Sequence, residues 1–411
     1  MSSILTAASA LRNHQSYMDV VANNIANMNT IGFKSSRLIF ADLLSRTLSP
    51  GAGPAENNGG INPRQIGLGV TLGSITTLMT QGILQNTGRP QDLAITGAGF
   101  FVYHDGFQPI YSRDGALGVD AQGYLVSLNT GLRIQGWEAA EDGTVNTAEP
   151  LGGIQIPIGA PMAAVATTVI QMAGNLNAST PDGESIATTA QFYDSLGALH
   201  TFTLTFTKSG ANAWSVSLDT DDATVNLGAP QPATVRFDEN GQLVDPPDGQ
   251  ITFAGTLTNG AADVNITLEI GKIGQLESSG MDNLYVVDQN GRAAGQMMDF
   301  SINETGEIVA VYTNGLRRVL GQLALAEFAN PSGLTKSGQN GYLQSANSGD
   351  PQIVTADGSR NVISAGFLEM SNVDLTLEFS EMIRAQRGFQ ANSRVVTTSD
   401  AMIEELVNLV R

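Results

Sequence analysis

The three histidines, His14, His104 and His200, are the first place to look for acid–base chemistry near neutral pH. A nucleophilic site would set such a base beside a serine and an orienting carboxylate. These histidines fall instead in a helical stretch, a hairpin loop and a strand edge, and no Gly-x-Ser-x-Gly turn accompanies them. Asp221-Asp222 is a carboxylate pair, but it sits in what reads as a strand-end turn, where solvation accounts for it. Asp238-Glu239-Asn240-Gly241 opens like a calcium loop, yet Gly249 stands where the bidentate Glu belongs, so turn chemistry is expected there. The Gly-rich stretch 51–60 lacks both the Lys-Ser/Thr ending and the preceding strand of a phosphate loop. With no cysteine, disulfides, thiolate metal sites, thiol catalysis and a cysteine cross-link between subunits are all excluded. The expectation is a non-enzyme with no catalytic, metal-binding or cofactor-binding residues and no cofactor.

The 411 residues leave room for two to four domains. A net charge of −19 repels phosphate, which argues against nucleic acid and anionic lipid as partners. Charged residues are sparse and 46 glycines sit among many small polar residues, the composition of hairpins and loops. Residues 1–20 lack a basic segment followed by an apolar block, so export would use a route without a cleaved signal. The most apolar stretch, from Ile154, is broken by Pro157, Gly159 and Pro161, and membrane insertion is not expected.

Both ends carry a seven-residue apolar repeat. Ile4, Leu11, Met18 and Ile25 form one row, with Ala7 or Ala8, Val21 and Met28 at the neighbouring position; His14 falls between Ala7 and Val21, a packing position. Leu375, Met382, Phe389, Val396, Ile403 and Val410 form the second row, while its companion row, Phe379, Gln386, Ser393, Asp400 and Val407, is largely polar. Both termini read as helices with coiled-coil-like stripes. Each helix alone is marginal, and the expectation is that the ends gain order only when several subunits pack, with a two-helix hairpin folded within the single chain as the alternative.

Between them the period changes to two. Phe202, Leu204 and Phe206 share one face of "HTFTLTFT", and Trp214, Val216 and Leu218 repeat the alternation. The turns "VDAQGYLV", "YDSLGALH", "FDENGQLV", "VDQNGRAA" and "INETGEIV" each set a glycine where a tight hairpin needs positive φ. Segment 43–70 has no period and reads as a long connector. The fold class is mainly β with α-helical termini: a discontinuous, multi-domain chain with two antiparallel β domains. Residues 1–30 and 370–411 form the helical domain, 31–71 and 359–369 a connector arm, 72–145 and 285–358 the first β domain, and 146–284 an inserted outer β domain.

"SYMDVVANNIANMNTIGFKSSRLIFADLL" resembles the N-terminal signature of the bacterial flagellar axial proteins, the rod and hook family. "GFLEMSNVDLTLEFSEMIRAQRGFQANSRVVTTSDAMIEELVNL" resembles the matching C-terminal signature. "TQGILQNTGRPQDLAITGAGFFVY", "YSRDGALGVDAQGYLV" and "GQLALAEFANPSGL" are similar to the family's β-domain segments, so the resemblance covers the whole chain. The insertion is similar to the outer domain of the hook members, whereas the connector after Phe40 is similar to that of the distal rod member. The resemblance implies a subunit that self-assembles into a curved tube, transmitting torque as a universal joint between rod and filament outside the cell. Its partners would be copies of itself, rod, hook-cap and hook–filament junction proteins, and the flagellar type III export apparatus. A distal rod-like protein and a secreted trimeric adhesin are the alternatives, but an adhesin needs a long uninterrupted heptad run and a surface anchor.

Asn23, Asn24, Asn27 and Asn29 supply donors and acceptors without charge, which suits a helix end buried among copies of itself. Gly32 lets the chain turn out of the helix and Phe33 offers an apolar foothold for the arm.

Overall fold

The computed structural model describes residues 2–51, 53, 59–140, 142–277 and 283–409. Helix α1 (Ser2–Ala26) opens the chain and α2 (Leu375–Leu409) closes it, with β structure between. Val410 and much of the Gly-rich 51–60 stretch lie outside the described residues. No helix among the described residues is long and apolar enough to cross a membrane.

The chain divides into two compact units: residues 1–156, 300–309 and 318–411, and residues 157–299 with 310–317. The second unit therefore begins at Pro157 rather than at residue 146. The intervening residues fold back onto the first unit: the Trp137 indole donates to the Glu149 carbonyl, Gly152–Gly153 pairs with Arg133–Glu138, and Leu125 N donates to the Ile154 carbonyl. It also runs past residue 284, because Asn283–Gln289 is needed as a strand of one of its sheets.

In the first unit, Phe100–His104 and Pro109–Ser112 form a hairpin. The sheet around it adds Arg133–Glu138, Leu325–Glu327 and Gly341–Leu343. Phe100, Tyr111, Phe328 and Tyr342 pack edge to face inside it. The connector is not shapeless. Strand β1 (Ser36–Asp42), β2 (Ser45–Ser49), β3 (Arg64–Gly67) and β4 (Val70–Thr77) make two antiparallel ribbons, β1 with β4 and β2 with β3. The β2–β3 ribbon is exposed on both faces, so no alternation was written into its sequence.

The second unit is two five-stranded sheets. One runs Val225–Leu227, Gln250–Leu257, Val264–Gly274, Val169–Asn175, Asn283–Gln289, and the other Ser185–Tyr193, Leu199–Gly210, Ala213–Asp219, Thr234–Phe237, Leu243–Asp245. Phe202, Leu204, Phe206 and Trp214 are buried, as the alternation requires, against Ile251, Phe253, Ile266 and Leu268. The expectation of purely antiparallel β fails where Val169–Asn175 runs parallel to Val264–Gly274. The chain between them is long enough for such a crossover.

Four of the five turn motifs share one geometry. Asp120, Asp194, Asp238 and Asn303 each accept backbone N–H bonds from two and four residues ahead, and the glycines Gly123, Gly197, Gly241 and Gly306 have φ of +86°, +86°, +75° and +78°. Asp238 is thus a turn former. The fifth glycine, Gly291, needs no positive φ; a Cβ there would lie 2.0 Å from Thr167 Oγ1, so close approach is the reason for it.

His200 is buried, and Asp222, which reads from the sequence as a solvated turn residue, is bonded to it. Residues 200, 202, 204, 206 and 208 all face inward, so His200 ends the apolar row. Its Nδ1 lies 2.6 Å from Asp222 Oδ2 and its Nε2 3.2 Å from Asp194 Oδ2, while the ring stacks on Phe192. Asn259, from the turn of the other sheet, donates to the same Asp194 oxygen at 2.6 Å. Burial opposes charge on His200, but its hydrogen bonds to Asp222 and Asp194 outweigh it and raise its pKa above the ordinary value. Thr224 and then His200 hold Asp222 down to about 2. This cluster's stabilisation is complete between about pH 4 and pH 6.5, the unfolded values. It is lost as pH rises through the elevated histidine pKa, or falls through that of Asp222. In a Trp137→Phe background, the Trp214 unfolding midpoint should drop from pH 6.5 to pH 9, and His200→Gln should abolish that slope.

Candidate assembly site

The two helices meet along one seam. Asn24 Nδ2 donates to Glu378 Oε1 at 2.9 Å, Tyr17 OH donates to Glu381 Oε2 at 2.5 Å, and His14 fills the notch at Gly388. These pairs run in opposite directions along the two helices, so the pair is antiparallel. Desolvation, followed by the bond to Glu381, pushes the Tyr17 pKa up to about 12, so its hydroxyl stays a donor. Burial likewise raises the Glu378 pKa against the help of Asn24.

The expectation that the ends lack order in a single chain is overturned, because the helices do not stand alone. They are docked on the β1–β4 ribbon. Asn13 Nδ2 donates to the Val70 carbonyl, and Phe40 of β1 packs edge-on against both His14 and Tyr17. A Cβ on Gly69 would lie 2.7 Å from Ser9 Oγ.

On α1 the seam follows the companion row of Ala7, His14 and Val21 rather than the row of Ile4, Leu11, Met18 and Ile25, and on α2 it is displaced from both rows. The buried positions are Ala7, Ala10, Val21 and Asn24 on α1 and Ala385 and Ser399 on α2. Close antiparallel approach selects these small side chains and sets the longer ones beside the contact. Ile4, Leu11, Met18 and Ile25 are half-buried, as are Leu375, Met382 and Val396, while Phe389 and Ile403 are exposed. So are Leu377, Phe379, Ile383, Met402, Val407 and Leu409. Extending the pairing places Ser399 beside the start of α1. The last turns of α2 have no α1 residue opposite them.

At the root of the helices, Asn24 alone of the asparagines is buried: its amide brackets Ser36 through N–H and carbonyl, and it is satisfied within its own chain rather than by another copy. Asn27 bonds back to Asn23, and Asn23 and Asn29 are exposed. Gly32 has φ +68°, and a Cβ there would meet the Arg113–Asp114 backbone at 2.8 Å. Phe33 is buried beneath the Lys336 ammonium.

What lies next to Phe33 is not marked by any local pattern. Glu369 is wholly buried between two cations: Lys34 Nζ at 2.6 Å from Oε1 and Arg113 Nη1 at 3.3 Å from Oε2. Lys34 Nζ also donates to the Thr80 carbonyl, Arg113 to those of Ile95 and Gly97, and Glu369 accepts the Gly82 N–H. Burial lowers the pKa of Lys34 and of Arg113, and in each case the Glu369 charge opposes that. The only sequence signal was a lysine inside an otherwise apolar and small-residue turn. Its partner stands at the other end of the chain.

Among the described residues no cluster of His, Asp and Glu could hold a metal ion. Everything at this site is built for packing: a clamped root, a small-residue seam and unsatisfied apolar faces.

Helical termini around a β body with a β insertion define an axial subunit of the flagellar rod and hook type. Four family profiles agree: "Flagella basal body rod protein" over residues 4–34, "Flagellar hook protein FlgE/F/G D1 domain" over 94–178, "Flagellar basal body protein FlaE D2 domain" over 164–342, and "Flagellar basal body rod FlgEFG protein C-terminal" over 364–409. The chain is 37% identical to the flagellar hook protein FlgE of Treponema pallidum, covering all of both chains. It is 38% identical to that of Borreliella burgdorferi, covering 100% of this chain and 99% of the other. The crystal structure of Helicobacter pylori flagellar hook protein FlgE2 shares the fold, with a TM-score of 0.51 at 15% identity over 70% of this chain and all of the other. The chain belongs to the flagellar hook protein FlgE family, whose members are structural subunits of the hook.

Replacing Glu369 by Gln strands two buried cations and should cost the first unit about 3–5 kcal/mol. Urea unfolding followed by Trp137 in a Trp214→Phe background should show that loss, while Trp214 in a Trp137→Phe background should report the second unit's transition unmoved.

Proposed function

We propose that the α1–α2 pair, already formed in one chain, is the building block of an inner helical tube, and that its outward apolar residues bind neighbouring copies. The observation that carries this reading is the division of the helix surface. Small residues hold the pair together, while Phe379, Ile383, Met402, Ile403 and Val407 stand exposed on α2. An unpartnered apolar stripe of this length marks an interaction surface. Because it meets a different face of the next copy, the contact is heterologous and propagates a helix rather than closing a ring.

In this reading, residues 1–30 and 370–411 line the tube, the arm 31–71 with 359–369 and the first β unit form the middle layer, and the inserted unit faces outward. The assembly residues are Ile4, Leu11, Met18, Ile25, Leu375, Met382, Phe389, Val396, Ile403 and Val410, with Asn23, Asn24, Asn27, Gly32 and Phe33 shaping the root. The β2–β3 ribbon, with Leu44 83% exposed and Leu48, Ile61, Ile66 and Leu68 beside it, packs between subunits and stiffens their contacts. The tube bends by sliding at wet, Thr-rich outer faces and passes torque from rod to filament. Export proceeds without a cleaved signal, through the flagellar export apparatus, and the ends of the tube meet rod, hook-cap and junction proteins.

Ile403→Asp with Val407→Asp alters only exposed positions, so monomer stability should stay within about 0.5 kcal/mol. Polymerisation, followed by light scattering and negative-stain images, should be abolished. Polymers growing from that variant at the wild-type rate would overturn the inner-tube reading.

A further inference from the structure

The chain has no cysteine and both tryptophans are buried, so methionine sulfur is its side-chain group most open to a peroxide. Among the described residues two methionines stand in solvent, Met298 at 67% exposure and Met402 at 58%. Met172 and Met297 are buried, and the other described methionines are half-buried. Met298 belongs to the second unit, on the strand Gly295–Ile302. Met402 lies on the last turns of α2. Val395, Met402 and Leu409 recur every seven residues, so they share one helix face, and all three are exposed.

A thioether is flexible and apolar and fills irregular contacts, whereas its sulfoxide is polar and carries a strong acceptor oxygen. On the free subunit that oxygen is solvated, so the fold is undisturbed. Packed against an apolar neighbour, it loses its water and gains no donor in return. The side chains that share this end of α2 with it, Val395, Ile403, Val407 and Leu409, have no N–H or O–H to offer. Ile403 and Val407 flank Met402 in the same exposed stripe. The polarity change therefore falls on the surface that self-assembly uses, whereas the one at Met298 does not.

We propose that Met402 is a modification site that controls entry into the polymer: a peroxide converts its thioether to the sulfoxide, and the modified subunit is excluded from assembly. With hydrogen peroxide, one oxygen is transferred to the sulfur. The O–O bond breaks, an S–O bond forms, and the second oxygen leaves with both protons as water, so sulfur is oxidised and peroxide reduced with no other reactant. This inference rests on the self-assembly reading above. The same reading sets the order of events, because the contact that the sulfoxide blocks also covers the thioether. Oxidation reaches the free subunit and spares the finished tube.

Mild hydrogen peroxide on dilute, unassembled protein should add one oxygen to Met402 and one to Met298, read by peptide mass spectrometry. It should raise the critical concentration for assembly roughly tenfold or more, from one polar group desolvated without a partner. On preformed polymer the same treatment should spare Met402. The effect of oxidation is read within each variant: it should vanish in Met402→Leu and persist in Met298→Leu. Met402→Gln, a polar side chain of similar length, should assemble poorly without any peroxide, and the two methionine sulfoxide reductases should restore the oxidised wild-type chain. Subunits oxidised at Met402 that polymerise at the untreated concentration would overturn the inference, as would a Met402→Leu chain as sensitive to peroxide as the wild type. Both results leave self-assembly intact, whereas failure of the untreated wild-type chain to polymerise would sink the assembly reading itself.

Discussion

A carboxylate buried without compensation costs several kcal/mol, and Glu369 escapes that cost only where Lys34 and Arg113 both reach it. The three residues come from the arm that leaves α1, the strand end behind the first hairpin, and the segment that leads into α2. None of these can be placed without the other two. The cluster therefore fixes the roots of both terminal helices against the first β unit. The carbonyls of Thr80, Ile95 and Gly97 accept from the two cations, and the Gly82 N–H donates to Glu369, which ties the cluster to the surrounding backbone.

From that root the helices diverge in what they use. Alanine, glycine and serine in the seam bury little area, so the pair owes its place as much to the Asn24, Tyr17 and Asn13 bonds and to the ribbon beneath as to its own hydrophobic contact. Gly388 costs α2 about 1 kcal/mol of helix propensity relative to alanine, yet it makes room for His14. The bulk of the apolar side chains is thereby kept for surfaces that one chain cannot cover.

The second unit has its own core and its own polar lock, and each five-stranded sheet is complete within it. Its His200 cluster ties the turns of the two sheets, so its stability answers to pH independently of the helix pair. Such self-sufficiency suits an insertion whose termini both return to the first unit.

Local periodicity was fully legible. The period-two rows of Phe202, Leu204, Phe206 and Trp214 became buried faces, the seven-residue rows became helices, and four Asx–Gly turns took one shared geometry, because each of these is decided by neighbours in the chain. The histidine at 200 was legible too, since the alternation that buries Phe202 also points His200 inward, but its two aspartates were not. The register of the helix seam, the β2–β3 ribbon and the parallel strand pair lay beyond the pattern. Each depends on which surfaces meet, and a heptad row says that a face is apolar without saying what will cover it. Farthest from view was the Lys34–Glu369 pair, whose members are 335 positions apart. The sequence determined the elements and their turns. Only the tertiary structure decided which charges share a dry interior and which apolar faces remain outside, because burial is a property of the packed whole rather than of any segment.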